Sequence, residues 1–223
     1  MYSFSLFLLL IISQLSSSQS RFGLELKVSR VNTSNSGQLI GANYKTVDSE
    51  NDLVTNSQSL GIIYKLNERN LLKLHFGRHQ NGRTLSYTEC SDLFGDCYSY
   101  TDLAAAFHYL QLAPSYCFRI LIKKFIVPIE GGININKQIK EAYNVFFDVN
   151  KFNFDYEIST GIDYKLESNF LLGLHVIYTA NINEYQNNKT VYGTYLPKQL
   201  GVEFSLLYGF GETQGAEDET KIQ

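Results

Sequence analysis

The sequence contains no tryptophan, and only three of its 223 residues are proline. Proline cannot donate to a sheet ladder, so its scarcity leaves long, uninterrupted strands open to the chain. An excess of basic residues is also missing: 19 Lys and Arg face 22 Asp and Glu, for a net charge of −3. No electrostatic footprint for nucleic acid is present. Long apolar runs are absent after the first dozen residues, and a membrane-spanning helix needs about 20 apolar residues. That excludes a helical span and leaves a barrel open. Cysteine is sparse, with three in all. No second Cys or His pair stands near them at zinc-ligand spacing. Nothing in the sequence calls for a metal or a cofactor. What is plentiful is aromatic: 16 tyrosines and 15 phenylalanines. With little proline, that bias favours a fold made mostly of strands.

The first residues, Met1 to Ile12, form a short apolar run, followed by Ser16-Ser17-Ser18. Together they read as a secretory signal peptide over 1–18, cut between Ser18 and Gln19, although no Lys or Arg precedes the apolar run. Export agrees with Cys90 and Cys97, which sit in the polar stretch ECSDLFGDCYS. Their spacing predicts a loop-local disulfide in an oxidising compartment. Cys117 is left over as a free thiol.

One stretch occurs twice. Gly61 to His75 reads GIIYKLNERNLLKLH, and Gly161 to His175 reads GIDYKLESNFLLGLH. Each copy predicts strand, tight polar turn, strand. Leu60, Ile62, Tyr64 and Leu66 share one side of the first arm, and Leu72, Leu74 and Phe76 share one side of the second. Lys65, Lys73 and His75 take the other side. Period-two alternation marks a strand between two different environments.

The same alternation runs through the rest of the chain. It begins at Phe22, passes through YLQLAPSYCFRI and a strand from Val127 to Ile135, and ends at LGVEFSLLYGF, Leu200 to Phe210. Eight strands of about ten residues result, the length a tilted membrane strand requires. Polar loops are predicted at Asn32 to Asn56, His79 to Asp102, Lys137 to Asn153 and Asn183 to Lys198, with strand-like character from Tyr143 to Phe147. Tight turns lie between them, one at Lys123-Lys124. Long and short connections therefore alternate, as in outer-membrane barrels with short periplasmic turns and long external loops. The expected domain is an all-β, eight-stranded antiparallel up-and-down transmembrane β-barrel over 19–211. An acidic periplasmic tail over 212–223 reads as disordered.

One face of these strands is almost wholly Leu, Ile, Val, Phe and Tyr. The other carries Glu25, Lys27, Lys65, Lys73, His75, Arg119, Glu130, Glu157, Asp163, Lys165, His175 and Glu203, set among glycines. In a membrane barrel this second face forms a polar network filling the lumen. A secreted, soluble ligand-binding barrel of the lipocalin kind inverts the arrangement. Alternating loop lengths, the glycine-rich charged face and the missing Gly-x-Trp favour the membrane version.

At this point the residues resemble a family. YLQLAPSYCFRI, the Gly131-Gly132 strand, GIDYKLESNFLLGLHVIYTANI and LGVEFSLLYGF are similar to the PorT-like outer-membrane β-barrels. Their size and strand order are similar to the transmembrane domain of outer-membrane protein A. The resemblance implies insertion by the barrel-assembly machinery, with Glu203 to Phe210 similar to its C-terminal signal. It departs at Ser205, where glycine is usual, and in continuing past Phe210. It also implies outer-membrane lipid as a partner. A structural, adhesive or envelope-assembly role follows, without an open pore. Catalysis would need a nucleophile and a histidine near one rim. His79 and His108, with Asp92, Asp96 and Asp102 between them, show no spacing that selects a triad, so no enzymatic activity is expected. The sequon Asn188-Lys189-Thr190 is read as irrelevant.

Overall fold

A computed structural model describes residues 21–35, 39–41, 44–48, 53–90, 97–142, 152–167, 169–182, 191–193 and 197–209. The proposed signal peptide with Ser18 and Gln19, Asp92, Asp96, the stretch 143–147, the sequon and the acidic tail lie outside the described residues.

Eleven strands are present among them. Eight are long: β1 (Phe22–Asn35), β4 (Leu53–Lys65), β5 (Asn70–Cys90), β6 (Cys97–Ile122), β7 (Phe125–Ala142), β8 (Phe152–Glu167), β9 (Phe170–Asn181) and β11 (Pro197–Gly209). Three are short: β2 (Leu39–Gly41), β3 (Tyr44–Asp48) and β10 (Val191–Gly193). The long strands pair antiparallel in the circuit β1–β4–β5–β6–β7–β8–β9–β11, and β11 pairs back onto β1. The sheet closes on itself, so every long strand has two neighbours. Closure is what allows strands to span a bilayer, since no backbone edge is left unpaired in lipid. The short strands extend the sheet beyond the barrel at the end away from the tight turns, with β3 pairing β5, β2 pairing β3, and β10 pairing β2.

The tight turns have local causes. Between β4 and β5, the Asn67 side chain accepts from the Arg69 amide at 2.9 Å and from Asn70 Nδ2 at 2.7 Å. Such an Asx turn is a strong reason for Asn at this place. Between β6 and β7 the connection is only Lys123-Lys124, and Lys123 takes a left-handed φ of 52°.

Several predicted loops prove to be strand. β5 and β6 run past His79 and remain paired to Cys90 opposite Cys97. β1 continues to Asn35, β7 to Ala142, and β8 starts at Phe152. The backbone ladder persists where the hydrophobic alternation stops.

The apolar face points outward. Along β5, exposure swings from 45% at Leu72 to 5% at Lys73, 47% at Leu74, 3% at His75 and 59% at Phe76. Leu26, Ile62, Ile129, Ile158, Leu174 and Phe204 are likewise exposed. This overturns the soluble lipocalin-like reading, which requires the aliphatic face inside. Three cross-strand aromatic pairs ring the tight-turn end: Phe22 with Tyr64, Phe125 with Tyr164, and Phe170 with Tyr208, at centroid distances of 5.1, 5.3 and 4.7 Å. Exposed Arg30, Arg78, Lys137 and Lys198 mark the other edge. On β1 and β11 these limits lie eight to ten residues apart. At about 3.3 Å per residue and a tilt near 40°, the belt is roughly 20–25 Å tall, the height of a bilayer's hydrocarbon layer in barrels of this kind.

Candidate functional site: a charged lumen

The inward face is layered. Nearest the tight turns, Ile63, Leu71 and Cys117 pack together with Leu207 against them. Cys117 is buried and free. Arg119 is buried at this same end, and its Nε has no partner.

Above that plug runs a chain of alternating charge. Asp163 Oδ1 lies 2.7 Å from His175 Nε2, and His175 Nδ1 lies 3.3 Å from Glu203 Oε1. Lys27 Nζ bridges Glu203 and Glu130, at 3.1 Å each. Lys73 Nζ reaches Glu130 at 2.7 Å and Glu25 at 3.1 Å. Glu25 Oε2 ends the series 2.9 Å from His75 Nε2. Four carboxylates, two ammonium groups and two imidazoles thus form one connected path between the two repeat histidines. Glu130 comes from β7, whereas Lys27 and Lys73 come from β1 and β5. The contacts therefore cross the lumen. Ser115 Oγ also donates to Glu130, at 2.7 Å. Pairing of this kind offsets the cost of taking these charges out of water.

The repeat explains part of this geometry. Gly61 is the direct cross-strand partner of His75, and Gly161 of His175. A Cβ at Gly61 would overlap the His75 ring, and one at Gly161 would overlap the Leu174 carbonyl oxygen and crowd His175. Each imidazole lies against a glycine across the ladder.

Lys65 departs from the sequence reading. Its side chain is 31% exposed and pairs with Glu68 of the turn at 3.7 Å, so it belongs to the rim. Lys165 is half-buried beside it in height. Glu157 accepts from Asn134 Nδ2 at 2.8 Å and stands above the charged chain. A cavity of about 30 Å³ lies at this level, lined in part by Lys27, His75, His79, Glu157 and Glu203. That is room for a few water molecules at most.

His79 faces inward, with Nδ1 2.9 Å from Ser57 Oγ. His108 lies on the opposite strand phase of β6, next to inward-facing Phe107 and Tyr109. The two histidines do not converge. Cys90 and Cys97 face each other in the ladder, but their side chains lie outside the described residues.

An upper amide layer was not singled out from the sequence. Thr179 Oγ1 donates to Gln199 Oε1 at 2.9 Å, and Gln199 Nε2 donates to Thr33 Oγ1 at 3.1 Å. Asn136 Nδ2 donates to Asp155 Oδ2 at 2.5 Å. The signal was present: Asn134 and Asn136 alternate with Ile133 and Ile135, and Asn153 and Asp155 with Phe152 and Phe154.

A closed eight-stranded barrel with lipid-facing apolar residues and a packed polar lumen is the fold of outer-membrane β-barrels. No family model matches the chain, and no curated protein matches it by sequence. Solved structures do match. Neisserial surface protein A shares 12% identity at a TM-score of 0.52, covering 86% of this chain and 98% of its own. The outer membrane protein AlkL in lipid bilayers gives 12%, a TM-score of 0.47 and coverage of 91% and 96%. Outer membrane protein W of E. coli gives 14%, 0.42, and coverage of 86% and 100%. Fold and belt together place this chain in the outer membrane.

Proposed function

We propose that this protein is a plugged outer-membrane barrel with a structural, adhesive or envelope-assembly role, its tight turns in the periplasm and its extended strands outside. The observation that carries this reading is the lumen. A path of ion pairs crosses it, an apolar cluster packs at one end, and the cavity beside the charged path is only about 30 Å³. An interior filled by side chains is what eight strands leave. Binding through the outer extensions fits such a barrel better than conduction does, since recognition is carried by segments held out on a rigid scaffold. Outer-membrane lipid and the barrel-assembly machinery are its proposed partners, with β11 as the assembly signal. Membership of the PorT-like family is part of the proposal and rests on the residue pattern. The test is reconstitution of the folded chain in planar bilayers, alongside carbonate extraction of membranes. The expected outcome is resistance to extraction with no steady open-channel conductance. Stable conductance steps would overturn the plugged reading, and release by carbonate would overturn the integral one.

A further inference from the structure

We infer that the outer end of the lumen holds a binding site for a hard divalent cation, of which Ca²⁺ fits best, built on Asp155. Among the described residues, Glu25, Glu130, Asp163 and Glu203 each lie within 3.3 Å of a Lys or His nitrogen. Asp155 is equally buried, at 5% exposure, yet has no such partner; its hydrogen bonds come from neutral amides, those of Asn136 and Asn181. An ionised carboxylate held out of water without a counter-charge is costly.

The groups around it are unusual in the same direction. Asn136, Asn153 and Asn181 are 1%, 1% and 9% exposed. Four of their amide atoms are buried without a hydrogen-bond partner: Asn136 Oδ1, both amide atoms of Asn153, and Asn181 Oδ1. Each such group costs about 1–3 kcal/mol when left unmet. The ladder makes these residues neighbours. Asn136 stands opposite Asn153, and Asp155 opposite Asn181. Directly opposed side chains start from Cβ atoms about 4.5–5.5 Å apart, close enough to share one ion.

The donor set selects the ion. One carboxylate and three amide carbonyls are hard oxygen ligands, and nitrogen and sulfur ligands are missing. With no imidazole or thiolate in this set, a transition-metal site is not the fit, and among the described residues no group of three or more His, Cys, Asp or Glu is arranged to hold a metal ion. A single carboxylate predicts weak affinity, in the range of about 10⁻⁴–10⁻³ M typical of extracellular modules.

Equilibrium dialysis of the full chain folded in detergent micelles, with Ca²⁺ alone as the ligand, tests this. The expected result is saturable uptake of one Ca²⁺ per chain in that range, weakened roughly tenfold or more by Asp155→Asn. Asn153→Ala keeps the carboxylate and should weaken binding as well, which covers the case in which Asp155→Asn does not fold. Glu68→Gln, on the far rim, should leave binding unchanged. Absence of saturable uptake by the wild-type chain, or uptake unaffected by both site variants, overturns the site and leaves ordered water as the partner of these amides.

Discussion

The His75 imidazole occupies the space that a side chain at Gly61 would fill, directly across the β4–β5 ladder. Its ring is also held by Glu25. Gly61→Ala should therefore destabilise the barrel by displacing His75, by about 1–3 kcal/mol. In a His75→Ala background the same substitution should cost almost nothing. Gly161→Ala should behave differently, because its methyl also meets the Leu174 backbone oxygen, which His175→Ala cannot move. Urea unfolding in lipid vesicles, read by heat-modifiable gel mobility, gives all four comparisons. Equal rescue at both sites would contradict this account.

Removing Lys73 takes a counter-charge from two buried carboxylates at once, leaving Glu25 with His75 and Glu130 with Lys27. Lys73→Met is expected to cost about 3–5 kcal/mol, the usual result of breaking one side of a buried pair. Lys65→Met, at the exposed rim, should lose under about 1 kcal/mol. The same unfolding assay ranks them, and a Lys65 loss as large as that at Lys73 would show the layers to be misassigned.

Leu74 faces lipid at the middle of the belt, whereas Arg78, four residues on, already marks its edge. Leu74→Arg should destabilise the protein in vesicles by about 2–4 kcal/mol. Gln58→Arg, opposite Arg78, should cost about 0–1 kcal/mol at that depth. Similar costs at both positions would argue against the belt boundaries given above.

The register sets Cys90 opposite Cys97, and Cys117 is buried in the plug. Peptide mapping without reductant is expected to recover 90 and 97 as one linked species. A maleimide should leave Cys117 unlabelled until the barrel is unfolded. Rapid labelling of Cys117 in the folded protein would mean that the tight-turn end is open.

The membrane part of the fold was legible because lipid on one side and a charged lumen on the other impose period-two alternation on residues such as Leu72 to Phe76. The candidate site was legible only as a list. That Glu130 would meet Lys27 and Lys73 across the lumen depends on barrel radius and stagger, which no local pattern records. The glycine–histidine pairing was hidden in the repeat, where conserved spacing was visible and its steric reason was not. Strand length was misread most. Past Arg78 the sustained apolar alternation of β5 gives out in the sequence, at residues such as Gln80, Asn81 and Arg83, even as its backbone stays paired. Reading alternation alone therefore stops a strand where the membrane stops.

That continuation has a mechanical consequence. From Arg78 to Cys90, β5 travels twelve residues beyond the belt with β6 paired alongside. At about 3.3 Å per residue this is roughly 40 Å of paired strand, flanked by β7 as far as Ala142 and by β3 at Ser86 to Glu89. Whatever binds beyond Cys90 and Cys97 is met at a stand-off that the length of this ladder sets, so shortening it in paired, register-preserving steps should tune reach without altering the anchor.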